Sequence, residues 1–136
     1  MYNIIDELIK LSNNALLNND VPISCIIVKD NEIIAKDYNK KIKNNDPLAH
    51  AEILCIKKAA KKLKTNNLND CEIYCLLYPC GMCREVIKEV RIKKVYYLLE
   101  NNKINNDNIE YKKINIDHQK ETIISNKISA FFKDKR

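Results

Sequence analysis

Residues 71–99 read CEIYCLLYPCGMCREVIKEVRIKKVYYLL, and this stretch decides the fold. It opens with CEIYCLL (71–77), a short apolar and aromatic run that reads as a buried strand. From Cys80 to Val90 the spacing predicts a helix, and KKVYYLL (93–99) returns to strand texture. A strand, a helix and a second strand joined this tightly predict a parallel pair with a right-handed crossover. At 136 residues the chain suits one domain with one core, so a single domain over residues 1–136 is expected.

Upstream, Ile4, Ile5, Leu8, Ile9, Ala15 and Leu16 fall at helical spacing and predict an opening amphipathic helix. ISCIIV (23–28) and EIIAKDY (32–38) flank the turn signal Asp30-Asn31, which predicts a hairpin. A polar loop, NKKIKNNDP, leads to a helical pattern from Ala49 to about Lys64. Downstream of residue 99, an asparagine-rich loop (100–109) precedes EYKKINI (110–116), a candidate edge strand, and a helix over 118–135. The order α-β-β-α-β-α-β-β-α predicts an α/β fold: a three-layer α/β/α arrangement around a mixed sheet of about five strands.

Composition narrows the function classes. With 46% hydrophobic and 31% charged residues the chain reads as a folded soluble protein, not a disordered one. There is no apolar run near the 18 or so residues of a membrane span, and Asp6 and Glu7 stand where a signal peptide would carry positive charge. A cytoplasmic protein is therefore expected. In a reducing compartment, six cysteines read as buried small residues, redox groups or metal ligands before disulfides. The net charge of +6 leans towards an anionic partner, although Lys57, Lys58, Lys61, Lys62 and Lys64 on a solvated helix face would add to that total without one.

Two motifs stand at helix entrances: His50-Ala51-Glu52, and Pro79-Cys80-Gly81-Met82-Cys83. Helix N-termini carry about half a positive charge, which favours the thiolate, the zinc-binding form of cysteine. Cysteines at i and i+3 share a face, so Cys80 and Cys83 can reach one ion, and His50 supplies a third ligand. Three ligands leave one tetrahedral position for water, whose pKa zinc brings down to about 7. Glu52 is not needed as a ligand and is placed to act as the general acid and base. Alone, the CxxC could be a redox pair and the histidine structural; their joint placement on two helix starts favours one metal site. Cys25, Cys55, Cys71 and Cys75 read as core residues, and His118 as a helix-start or surface residue.

The order H-x-E followed by P-C-x-x-C is the signature of zinc-dependent nucleobase deaminases. DVPISCIIV (20–28), Asn39 eleven residues before His50, NDPLAHAEI (45–53), the thirty-residue step from His50 to Cys80, and the terminal ISAFFKDKR (128–136) resemble the tRNA adenosine deaminase family. The resemblance implies a cytidine deaminase-like fold, a homodimer, and one Zn2+ per subunit on His50, Cys80 and Cys83. It implies hydrolysis of the wobble adenosine of a tRNA anticodon to inosine, with Glu52 as proton shuttle and Asn39 hydrogen-bonded to the purine. Asn101 and Lys103 fall at family positions that engage nucleotides flanking the target. Lys133, Lys135 and Arg136 would suit both a helix C-terminus and phosphate contact.

The chain departs from the family pattern at Tyr78, where glutamate is usual, and at Ser24-Cys25, which replace a Gly-Ala pair lining the pocket. The loop carrying Asn101 and Lys103 is short and lacks the usual glycine. CGMCREVI also resembles the free-cytidine deaminases, which place a cysteine where this chain has His50. Deoxycytidylate and guanine deaminases keep the HAE form, so a deaminase of free nucleotides or bases is the alternative. A third reading is an inactive zinc-binding partner subunit.

Overall fold

The computed structural model describes residues 3–100 and 108–134. Asn101 and Lys103 lie outside the described residues, as do Lys135 and Arg136. Helix α1 (Ile4–Leu17) is capped by Asn3, whose side chain accepts a hydrogen bond from the Asp6 N–H at 3.2 Å. Strands β1 (Ser24–Lys29) and β2 (Glu32–Tyr38) form the expected hairpin. Its turn residues Asp30 and Asn31 both take positive φ, 52° and 63°, the primed turn that matches strand twist and that short polar side chains tolerate.

The chain continues through α2 (Ala51–Leu63), β3 (Glu72–Leu77), α3 (Gly81–Glu89), β4 (Lys94–Leu99), β5 (Glu110–Lys113) and α4 (His118–Asp134). The sheet order is β2-β1-β3-β4-β5. Strands β3, β4 and β5 run parallel and β1 is antiparallel to both its neighbours, so the sheet is mixed as the element order implied. Parallel pairing of β4 with β5 requires the chain to return roughly 20 Å, a distance that the ten intervening residues can span at about 3.3 Å each.

Side-chain alternation divides the core between the two faces of the sheet. Cys25 and Ile27 of β1 pack with Cys55, Ile56 and Ala59 of α2 and Ile87 of α3. Ile26 and Val28 point the opposite way, into a cluster with Leu8 and Leu11 of α1 and Ile124 of α4. Two helices on each face make the three-layer α/β/α arrangement. The cysteines outside the two motifs are core residues: Cys25, Cys55, Cys71 and Cys75 are all buried with free thiols. His118 is exposed at the first position of α4. No described helix is long and apolar enough to cross a membrane.

The strand register determines where chemistry can occur. Tyr38 at the end of β2 pairs with Ser24 at the start of β1, and Cys25 pairs with Cys75 near the end of β3. The chain leaving β2 and the chain leaving β3 therefore emerge at the same edge, where each leads to a helix start. That edge, beyond the carboxyl ends of the parallel strands, is where open α/β sheets bind ligands.

Candidate active site

His50 and Cys80 occupy equivalent positions. Each is the N-cap of its helix, with extended backbone (φ −71°, ψ 147° and φ −68°, ψ 171°), and neither uses its side chain as a cap. Both side chains are therefore free to project into the space between the starts of α2 and α3. The orphan N–H of Ala51 is satisfied instead by Asn39, whose Oδ1 accepts from it at 2.8 Å. From the first turn of α3, Arg84 Nη1 donates to the Pro79 carbonyl at 3.0 Å and its guanidinium lies 5.6 Å from the Tyr78 ring centre, fixing the segment before Cys80.

His50 Nδ1 lies 3.8 Å from Cys80 Sγ and 3.5 Å from Cys83 Sγ, and the three atoms all lie within 4.8 Å of one another. For zinc at about 2.05 Å from nitrogen and 2.3 Å from sulfur, a tetrahedron places N and S about 3.6 Å apart. The donor set and the spacing therefore fit zinc. The two sulfurs are free thiols, not a disulfide.

Of the three donors, Cys80 is already in its metal-binding form. Hydrogen bonds from Cys83 and then His50 hold the Cys80 thiol down at about 3, so it is a thiolate at neutral pH. The same contacts push Cys83 and His50 upward. Glu52, in the first turn of α2, is only 4% exposed, and its Oε1 has no hydrogen-bond partner among the described residues. Burial pushes its carboxyl up to about 7. An unpartnered buried carboxyl oxygen beside two sulfurs and an imidazole is costly to the fold, and it is placed where a reacting group would satisfy it.

That cost is measurable. With its folded value near 7 against an ordinary 4.5, Glu52 retains a proton in the native state that the unfolded chain releases. The metal-free protein should therefore lose stability as pH rises from about 4.5 to 7, by on the order of 3 kcal/mol in total. Glu52→Gln should raise the urea midpoint of the metal-free protein at pH 8 and leave it unchanged at pH 4. An equal shift at both values would show that the carboxyl charge is not the cause.

A cavity of about 170 Å³ opens beside the three ligand atoms, lined by Val21, Ile23, Asn39, Lys41, His50, Glu52, Leu77, Tyr78, Cys80 and Phe132. Cavities of about 150 Å³ accept a single benzene, so one heterocyclic base is a suitable guest. Asn39 lines it, and with Oδ1 committed to Ala51 it offers the cavity its amide N–H groups. Tyr78 packs edge-on to Tyr97 and tilted against Tyr111, each at 5.0 Å, so it fills the floor with aromatic surface where a carboxylate was usual.

Ser24 and Cys25 do not line this cavity, contrary to expectation. Ser24 Oγ donates to the Leu8 carbonyl under α1 at 2.5 Å, and Cys25 faces the core. Val21 and Ile23, just before β1, take the wall. The sequence reading also left out Lys41, Leu77 and Phe132. Lys41 sits in a polar loop with no periodicity to mark it. Phe132 arrives from α4, about eighty residues after His50, and its only signal was the terminal FFK run.

Residues 3–99 match the family model of the cytidine and deoxycytidylate deaminase zinc-binding region. The chain is 43% identical over 86 residues to the tRNA-specific adenosine deaminase of Aquifex aeolicus, covering 63% of this chain and 57% of that protein. It is 36% identical over 129 residues to the tRNA-specific adenosine deaminase of Buchnera aphidicola subsp. Baizongia pistaciae, covering 86% of this chain and 78% of the relative. Among solved structures, a tRNA:A34 deaminase that performs A-to-I editing at the wobble position superposes with TM-score 0.74 at 25% identity, over 81% of this chain and 95% of the other. The guanine deaminase of Bacillus subtilis superposes with TM-score 0.68 at 36% identity, over 74% and 66%.

Proposed function

Because the chain belongs to the zinc-binding family of cytidine and deoxycytidylate deaminases, we propose that it hydrolyses adenosine to inosine at the wobble position of a tRNA anticodon, releasing ammonia. The observation that carries the chemistry is the buried, unpartnered Oε1 of Glu52 beside the His50, Cys80 and Cys83 donor set in a cavity sized for a base. The tRNA-acting relatives and the superposed A34 deaminase support the choice of substrate.

His50 Nδ1, Cys80 Sγ and Cys83 Sγ would hold one zinc ion. When bound, zinc supplies the Lewis acidity that makes water nucleophilic at neutral pH. Glu52 takes the proton from the attacking water on Oε1 and passes protons on to the base, so that the C6 amino group departs as ammonia. A carboxyl held near 7 can both accept and return a proton at physiological pH. Asn39 donates its amide hydrogens to the purine and, through Oδ1, holds the first turn of α2 that carries Glu52. A base stacked inside a duplex cannot enter so small a cavity, whereas one in an anticodon loop is splayed outward at little energetic cost.

The working form proposed is a cytoplasmic homodimer, each subunit one domain. Ile42, Leu48 and Met82 are exposed on the loop before α2 and at the start of α3, apolar groups that a subunit interface would cover. A reducing compartment suits Cys80 and Cys83, which must remain reduced to bind metal. Asn101 and Lys103 remain assigned to flanking-nucleotide contacts by resemblance.

The guanine deaminase likeness supports a second reading, a deaminase of free bases or nucleotides. Ammonia release by the zinc-loaded protein from an anticodon stem-loop, compared with guanine and deoxycytidylate, separates the two. The expected result is turnover of the stem-loop alone, with affinity falling steeply as salt rises. Turnover of a free base or nucleotide in its place would overturn the tRNA reading.

A further inference from the structure

Lys41 is the one basic side chain among the residues that line the cavity other than His50. The ion pairs among the described residues engage Lys36, Lys40, Lys58, Lys113 and Lys120, but not Lys41. The contrast with its neighbour is informative. Lys40 turns away to the buried carboxylate of Asp37 at 2.9 Å and lies over the Tyr38 ring at 4.7 Å, while Lys41, half-buried, turns to the cavity.

The backbone around Lys41 is fixed. The buried carboxylate of Asp20 accepts from the Ile42 N–H at 2.9 Å and from the Val21 N–H at 2.9 Å, tying this loop to the opposite wall of the cavity. The Lys41 carbonyl accepts from the Asp46 N–H at 3.0 Å, and the Lys40 N–H donates to the Ala49 carbonyl at 3.0 Å. A lysine with no carboxylate partner among the described residues, held at the rim of a cavity by a buried anchor, is equipped for an anionic substrate group. The cavity is sized for a base and open on one side, so the sugar-phosphate of a nucleotide bound there would lie at that rim.

We propose that Lys41 binds a phosphodiester flanking the nucleotide whose base enters the cavity, and so selects a nucleotide within an RNA strand over a free base. This rests on the reading of the site as an RNA adenosine deaminase. In a single strand each phosphate neutralised by a cation contributes about 0.7 to the salt slope of binding, which gives the contact a signature separate from shape.

The test uses the zinc-loaded full chain, an anticodon stem-loop, and the same stem-loop with uncharged methylphosphonate linkages on both sides of the target nucleotide. Lys41→Gln should raise KM for the ordinary stem-loop about ten-fold, with kcat moving far less, and lower the salt slope by about 0.7. Lys41→Arg should restore most of both. The methylphosphonate stem-loop should show the same rise with the wild-type protein and no further rise with Lys41→Gln. Effects that multiply, or an unchanged salt slope, would overturn the proposal while stem-loop turnover left the deaminase reading intact. Failure of the wild-type protein on the stem-loop, together with turnover of guanine or deoxycytidylate, would overturn both.

Discussion

Glu52→Ala is expected to bind zinc at the wild-type stoichiometry and to lose turnover towards the upper end of the range of about 10²–10⁴-fold that general acid–base catalysis contributes. The two effects separate because Glu52 is not among the three ligand residues. Its Oε1 makes no hydrogen bond among the described residues, so truncation leaves no donor to that oxygen stranded. The variant should therefore remain folded and able to take up metal. Glu52→Gln keeps the shape and the oxygen but cannot accept a proton, so it should lose nearly as much activity. Metal content by elemental analysis and single-turnover rates on the stem-loop measure the two sides. Loss of zinc in step with activity would make Glu52 a ligand; retained activity would remove it from the mechanism.

The second large effect is on the metal itself. His50→Ala or Cys83→Ala should weaken zinc binding by about 10³-fold, roughly a third of the 10–16 kcal/mol that structural zinc sites supply, and bring turnover to background. Cys83 is fully buried and Cys80 is partly accessible at the mouth of α3. Competition with a chromophoric chelator gives the affinities. Because zinc binds the folded chain, wild-type Tm should rise with added zinc and the Tm of either variant should respond far less. A variant that retained wild-type affinity would remove its residue from the ligand set.

The sequence was most informative where local pattern and topology coincide. CEIYCLL, the Cys80–Val90 segment and KKVYYLL are each short and bounded, so period and length sufficed for β3, α3 and β4, and through them for the three layers. Asp30-Asn31 marked the hairpin because its two positions demand positive φ, which few residues tolerate. The grouping of His50, Cys80 and Cys83 was legible because metal chemistry restricts both residue type and spacing.

The cavity wall was less legible. Its members come from five separate segments of chain, and only the register of β1 against β3 brings Val21, Ile23 and Leu77 to one edge. Ser24 illustrates the difference: the alternation that places Ile23 at the wall sends the next side chain to α1. Asn39 was identified, yet its carbonyl oxygen serves the α2 N-terminus, a task visible only once the helix start is placed.

X-ray absorption at the zinc edge of the protein purified without chelator tests the metal centre most directly. The expected spectrum has two sulfur scatterers near 2.3 Å and one imidazole nitrogen near 2.0 Å, with a further light atom completing four ligands. A protein without zinc, or a shell of four protein ligands, would contradict it.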